Sequence, residues 1–311
     1  MSRKNQEEVN IELTEFRMES IGNNKILVFI GKRNTGKSVL VLDYLYYNQD
    51  IPFCTCISPT DDYNLTFRPH VPSRFIFDTY TPELVCNFLN RQKTMSRKKK
   101  SALSGNGDPR YRDVDPRGIL IMDDCLAAAR EWKNDENIHW IFMNGRHANV
   151  TLILTMQYQV GIPPELRVNI DYYFICKETK RVEQEKLYKY YAGMFPTMDM
   201  FIQVLRQVTK DYGCLVIDNT SQSDQLADQV YYYKATLRDP GSFRICYDEF
   251  WKNNEDYIND DDQSENTNVG ALGNNMMQRE DSYQRYLAGR QRYKFNVGIR
   301  QNQNPGGNSR W

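Results

Sequence analysis

The chain has 311 residues, 40% hydrophobic and 26% charged, which is globular material for one large α/β domain with extensions and excludes a fibrous or wholly disordered chain. Lys plus Arg and Asp plus Glu both number 40, so no overall charge draws the chain to polyanions, and any nucleic-acid contact must come from a local patch. Seven cysteines without a C-x-x-C pair, and three histidines with no cysteine at zinc-site spacing, argue for a reduced compartment and against a structural metal.

The segment Met1 to Asn10 is polar and no apolar run approaches a membrane span, so a soluble, intracellular protein is expected. Residues 1–20 read as an N-terminal extension in which Ile11, Leu13 and Phe16 alternate weakly and admit an edge strand. Ile26-Leu27-Val28-Phe29-Ile30 then reads as a buried strand, followed at once by Gly31-Lys32-Arg33-Asn34-Thr35-Gly36-Lys37-Ser38. This is the P-loop pattern G-x-x-x-x-G-K-[ST] in its required context of strand, loop and helix start. A polyphosphate needs many fixed donors close to its oxygens, and glycine at both ends of the loop lets backbone N–H groups converge without a Cβ in the way. Gly31, Lys32, Arg33, Asn34, Thr35, Gly36, Lys37, Ser38 and Val39 are therefore the candidate nucleotide-binding residues. Lys37 supplies a point charge for the β- and γ-phosphates, Ser38 a hydroxyl for Mg²⁺, and the helix beginning there turns its positive end to the anion.

Val39, Leu40, Leu42, Leu45 and Tyr46 recur at helical spacing until Asn48 to Pro52 breaks the helix. Phe53 to Ile57 and Arg74 to Asp78 read as short strands, and Thr81-Pro82-Glu83 opens a helix with a cap, an early proline and an early carboxylate. That helix runs into a basic insertion, 91–117, whose stretch from 91 to 112 carries eight basic residues against the single acid Asp108. Such charge density attracts phosphate backbones without reading sequence, although a solvated, mobile insertion fits it equally.

Gly118-Ile119-Leu120-Ile121-Met122-Asp123-Asp124 delivers two carboxylates at the end of an apolar strand, the Walker B pattern. A doubly wound sheet gathers ligands at the carboxyl ends of its strands, which brings Asp123 and Asp124 to the crevice of the P-loop. Asp123 is the expected partner of Mg²⁺, and Asp124 is placed to polarise an attacking water. A long amphipathic segment, Leu126 to Phe142, leads to Asn144-Gly145-Arg146-His147 and then to the strand Val150 to Met156, which delivers Gln157. In the additional-strand class of P-loop ATPases a polar residue at that point senses the γ-phosphate; a Gln that merely caps its strand is the alternative. Pro163-Pro164-Glu165-Leu166-Arg167 begins a helical turn, Tyr172 to Cys176 is a strand and Arg181 to Tyr191 a polar helix. Gly213 to Asp218 and Val230 to Lys234 read as a closing strand pair. After 250 an acidic run from Glu255 to Glu265 gives way to Arg285, Tyr286, Arg290, Arg292, Tyr293, Lys294 and Phe295, so 251–311 reads as a disordered tail in which bases alternate with aromatics.

Taken together, Gly31 to Ser38, Asp123-Asp124, the Gly-Arg-His approach to a strand ending in Gln157, and the Pro-Pro-Glu-Leu-Arg turn make the chain resemble the genome-packaging ATPases of nucleocytoplasmic large DNA viruses. Those belong to the FtsK–HerA superfamily of ring-forming DNA pumps. Over 21–250 the resemblance implies a RecA-like ASCE P-loop core with a mostly parallel sheet flanked by helices, and ATP with Mg²⁺. It also implies a homo-oligomeric ring, double-stranded DNA as substrate, capsid or inner-membrane virion proteins as partners, and action in the host-cell cytoplasm and virion. Lys37, Asp124, Gln157 and Arg146 are then the expected catalytic residues, with Ser38 and Asp123 on the metal. Arg146 is expected to act on a neighbour's nucleotide, with Arg167 in reserve; the competing reading pairs Arg146 locally with Glu131 or Asp135. The acid after Asp123 is aspartate where cellular relatives often have glutamate, and the basic insertion and tail match no family motif. No N-K-x-D motif of a GTPase is present, and a kinase would have only 91–117 for a basic lid.

Overall fold

The structure, a computed structural model, describes residues 8–125, 128–157, 162–252 and 295–298. Its strands are β1 (Glu8–Ile11), β2 (Ile26–Ile30), β3 (Cys54–Ile57), β4 (Ile76–Phe77), β5 (Gly118–Asp123), β6 (Val150–Met156), β7 (Tyr172–Ile175), β8 (Cys214–Asp218), β9 (Val230–Tyr233) and β10 (Phe295–Gly298). Eight form one sheet in the order β4-β3-β5-β6-β2-β7-β8-β9. From β4 to β7 every neighbouring pair is parallel, and β8 and β9 close the sheet antiparallel.

The helices are α1 (Lys37–Tyr47), α2 (Asp61–Asn64), α3 (Pro82–Leu103), α4 (Ala129–Trp132), α5 (Glu136–Asn144), α6 (Pro164–Arg167), α7 (Arg181–Tyr191), α8 (Met198–Val208) and α9 (Asp248–Lys252). They cover both faces of the sheet, which is why the central strands are unbroken apolar runs. In β2, Ile26, Val28 and Ile30 enter the core layer shared with α3, α5, α7 and α8, while Leu27 and Phe29 enter the layer shared with α1. No helix among the described residues is long and apolar enough to cross a membrane.

Several sequence expectations are corrected. The segment Leu126 to Phe142 is no single helix: α4 and α5 are separated at Asp135, whose carboxylate accepts Asn137 N at 2.8 Å and caps α5. The strand expected from Arg74 to Asp78 is two residues long, because a 3-10 turn occupies Ser73–Phe75. Ile11 pairs with Phe295 in a separate ribbon of β1 and β10, while Leu13 and Phe16 are buried and Glu15 makes one bridge to Tyr232 of β9. Helix α8 is an unforeseen element, although Thr197 caps it by accepting Met200 N at 3.2 Å and six buried apolar residues line one face. The acidic run and, apart from Phe295, the basic and aromatic positions of the tail lie outside the described residues.

A buried ion pair anchors α1, the helix that carries the P-loop lysine. Asp43 is fully buried, accepts Arg238 Nη2 at 2.6 Å and Thr236 N at 3.1 Å, and also takes the Tyr233 hydroxyl. Asp43→Ala would strand the Arg238 charge, 14% exposed, and is expected to lower stability by about 3–5 kcal/mol. Chemical denaturation checks this, with the midpoint shifting and the slope unchanged.

Candidate nucleotide-hydrolysis site

The P-loop begins where β2 ends. Gly31 N donates to Met156 O at 3.0 Å, so the loop starts locked to the end of β6. A Cβ on Gly31 would lie 2.5 Å from Thr35 Oγ1 and 2.6 Å from Cys176 Cβ, so only glycine fits this approach. Thr35 Oγ1 donates to Lys32 O at 2.7 Å and closes the turn, with Asn34 (φ +59°) and Gly36 (φ +94°) in the left-handed region. Lys32 pairs with Glu178 at 2.6 Å; the Glu178 carboxylate also accepts Thr179 N and Lys180 N, which clamps the loop to the chain beyond β7.

Lys37, the first residue of α1, is buried, and its ammonium donates to Gly31 O at 2.7 Å and Lys32 O at 3.0 Å. Burial lowers its pKa, against which the neighbouring Cys176, Asp124 and Asp123 raise it. Arg33 and Asn34 are exposed; Ser38 and Val39 are half-buried.

Asp123 ends β5 and is buried; its two oxygens accept Thr155 Oγ1 at 2.7 Å and Ser58 Oγ at 3.0 Å. Thr155 Oγ1 in turn accepts Asp124 N at 2.9 Å. Asp124 has φ +51°, so the chain turns sharply there and aims its carboxylate differently from that of Asp123. One Asp124 oxygen accepts Gln157 Nε2, and the other is buried without a partner. Burial raises the Asp124 pKa above the ordinary carboxylate value, while the Gln157 hydrogen bond and the Lys37 charge act in the opposite direction.

The carboxyl ends of β2, β3, β5 and β6 thus bring together Lys37, Ser58, Asp123, Asp124, Thr155 and Gln157. Sequence reasoning missed Ser58 and Thr155, though each is a hydroxyl at the end of a buried apolar strand. Gln157 follows β6 and its amide donates to the Asp124 carboxylate in the turn after β5, a contact that fits both the sensor reading and that of a strand-end Gln bonded to a loop. The donor set fits Mg²⁺. Ser38 offers a hydroxyl with no hydrogen-bond partner among the described residues, Asp123 and Asp124 offer hard oxygens, and an Asp124 oxygen is orphaned. No cluster of three or more His, Cys, Asp or Glu residues fit to hold a metal occurs among the described residues.

Arg146 is elsewhere. It lies in the 3-10 turn Gly145–Ala148 before β6, at the amino-terminal end of the strands, roughly 20 Å from the P-loop along a seven-residue strand. It is exposed and makes no ion pair among the described residues, so the pairing with Glu131 or Asp135 does not form. Arg167 is half-buried with its guanidinium 4.6 Å from the Tyr190 ring.

The basic stretch packs at that same amino-terminal end. It is helical up to Leu103, where the loop beginning at Ser104 takes over, and the buried Gln92 side chain donates to Pro116 O at 2.8 Å and to Asn149 O at 3.4 Å. Ser96 accepts Asn149 Nδ2 at 2.9 Å, and a cavity of about 590 Å³ is lined by Lys99, Lys100, Arg117 and His147 together with Asp113 and Asp115, Arg117 being paired with Asp115 at 2.5 Å and with Asp50 at 2.7 Å.

Parallel strands running from β4 to β7, a phosphate loop after β2, and a strand (β6) inserted between the loop strand and the one bearing two carboxylates define a RecA-like P-loop NTPase of the additional-strand class. No family model matches the chain. The chain belongs to a family of large-DNA-virus proteins that includes the uncharacterized protein L437 of Acanthamoeba polyphaga mimivirus, 39% identical over 73% of this chain and 78% of that protein. Uncharacterized protein 075L of Invertebrate iridescent virus 6 is 33% identical over 78% of this chain and 91% of its own length. Among solved structures, the genome packaging NTPase B204 of Sulfolobus turreted icosahedral virus 2, in complex with AMP, has a TM-score of 0.45 and 18% identity over 70% of this chain and 100% of that one.

Proposed function

We propose that this chain hydrolyses ATP and uses the free energy to move double-stranded DNA, as a homo-oligomeric ring that packages a viral genome. The observation that carries the hydrolysis is the hydrogen bond from Gln157 to Asp124 beside Lys37. An amide that touches the base, at the carboxyl end of the strand beside β2, can register the γ-phosphate and position the carboxylate together. Lys37 leaves its loop carbonyls for the β- and γ-phosphate oxygens. Asp124 orients the attacking water in line and accepts its proton, which its raised pKa favours over a normal carboxylate. Thr155 and Ser58 fix Asp123 so that it cannot swing. Ser38 and Asp123 would hold a Mg²⁺ ion, which supplies charge neutralisation on the phosphate oxygens.

Movement of DNA is supported by the basic end of the molecule, by the viral family and by the motif resemblance. Packaging would place the chain in the host-cell cytoplasm and the virion, against capsid or inner-membrane proteins. The test is the ATPase rate with and without double-stranded DNA at two salt concentrations: stimulation that shrinks at higher salt is expected, and DNA-independent transfer of phosphate to an acceptor nucleotide would instead mark a kinase. Replacing Lys98, Lys99 and Lys100 by Ala should weaken DNA binding equally across sequences. It should also flatten the plot of log affinity against log salt by about 0.9 for each phosphate no longer neutralised. An unchanged slope assigns the cluster to a solvated helix end.

A further inference from the structure

Tyr212 is exposed (67%) beside the P-loop and takes no part in the chemistry above. Beyond α8 the chain makes a 3-10 turn, Lys210–Tyr212, in which Asp211 (φ +50°) and Tyr212 (φ +64°) are both left-handed. Two consecutive non-glycine residues rarely adopt that conformation, and such strain gathers at ligand clamps. The turn is tight enough that a Cβ on the following Gly213 would lie 2.1 Å from Val208 O. Its product is a tyrosine ring in solvent, with its Cδ1 3.8 Å from where a Cβ on Gly36 would sit. The Tyr212 hydroxyl has no hydrogen bond among the described residues, so the ring is not held there by its polar end.

Topology says which part of a ligand the ring would meet. The acids and Gln157 follow β5 and β6, on one flank of the P-loop strand β2. On its other flank lie β7 and β8, and because β8 runs antiparallel to β7, the start of β8 lies at the same end of the sheet as the P-loop. Tyr212 is two residues before that start. A triphosphate whose γ end faces Asp124 therefore carries its nucleoside towards the β8 flank. We propose that Tyr212 is a stacking platform for the nucleobase, a contact that rests on the P-loop being the nucleotide site. An aromatic face accepts any base, so the platform would favour nucleoside triphosphates over bare polyphosphate without choosing among bases.

Calorimetric titration of the full chain with ATP, GTP and inorganic tripolyphosphate tests this. Tyr212→Ala is expected to weaken ATP and GTP binding alike, by about 5- to 150-fold, and to leave tripolyphosphate within about twofold of wild type. Tyr212→Phe should retain wild-type affinity. Tyr212→Gly, which accepts the left-handed backbone freely, should bind as weakly as Tyr212→Ala, which separates the ring from the fold of the turn. Unchanged ATP affinity in Tyr212→Ala overturns the platform, and so does an equal weakening for ATP and tripolyphosphate, which would make the residue a support of the loop. A wild-type chain that binds none of the three ligands overturns the P-loop reading, and the platform with it.

Discussion

Arg146→Ala is expected to lower ATP turnover of the assembled protein by about 10³–10⁵, and mixing it with the equally inactive Lys37→Ala is expected to restore activity. Negative charge builds on the transferring γ-phosphoryl group, and a guanidinium placed there stabilises it. Arg146 cannot reach its own P-loop, since the length of β6 separates them. A head-to-tail ring, however, sets one face of each subunit against a different face of the next. The P-loop lies at the carboxyl ends of the strands and Arg146 at their amino-terminal end, exposed and without an ion pair among the described residues. In a mixed ring, some interfaces join an intact P-loop from the Arg146→Ala subunit to an intact arginine from the Lys37→Ala subunit. If the variants co-assemble and mixing restores nothing, the role in trans is wrong. Weaker DNA binding by Arg146→Ala would then assign the residue to the basic surface with Lys99, Lys100 and His147.

Asp124→Asn is expected to bind ATP within a few-fold of wild type and to turn over about 10²–10⁴ more slowly. Asparagine can still accept the Gln157 hydrogen bond, so the change removes the base and keeps its setting. The raised pKa adds a second readout. Between the ordinary Asp pKa of about 3.9 and the raised value, the folded chain binds more protons than the unfolded one. The group's contribution to stability therefore falls as pH rises through that window, and stays lower above it. Asp124→Asn lacks this dependence and should melt at or above the wild-type temperature at about pH 8, well above the window. Wild-type turnover should rise with pH across the same window, a limb the variant lacks. Wild-type hydrolysis by Asp124→Asn would rule out the base assignment.

Local sequence determined the glycine-bounded loop between β2 and α1, because that shape needs only contiguous residues: a buried run, glycines at Gly31 and Gly36, and Lys37 at a helix start. It likewise determined α3, whose cap Thr81 accepts Leu84 N at 3.2 Å, and α7 between Arg181 and Tyr191. Helix α8 was not foreseen, although its cap Thr197 and its periodic apolar face are local signals of the same kind. The break at Asp135 was less legible, since that residue leaves the helix pattern to cap α5 and to accept the Tyr80 hydroxyl from 55 positions away. Tertiary structure alone decided which strand lies beside which. Placing β6 between β2 and β5 joins Thr155 to Asp123 across 32 positions and Gln157 to Asp124 across 33. The same placement carries Arg146 to the far end of the sheet, and the reversal of β8 brings Tyr212 beside Gly36, 176 positions earlier in the chain. Propensity and spacing act over a turn or two of chain, whereas these contacts depend on the packing of whole strands.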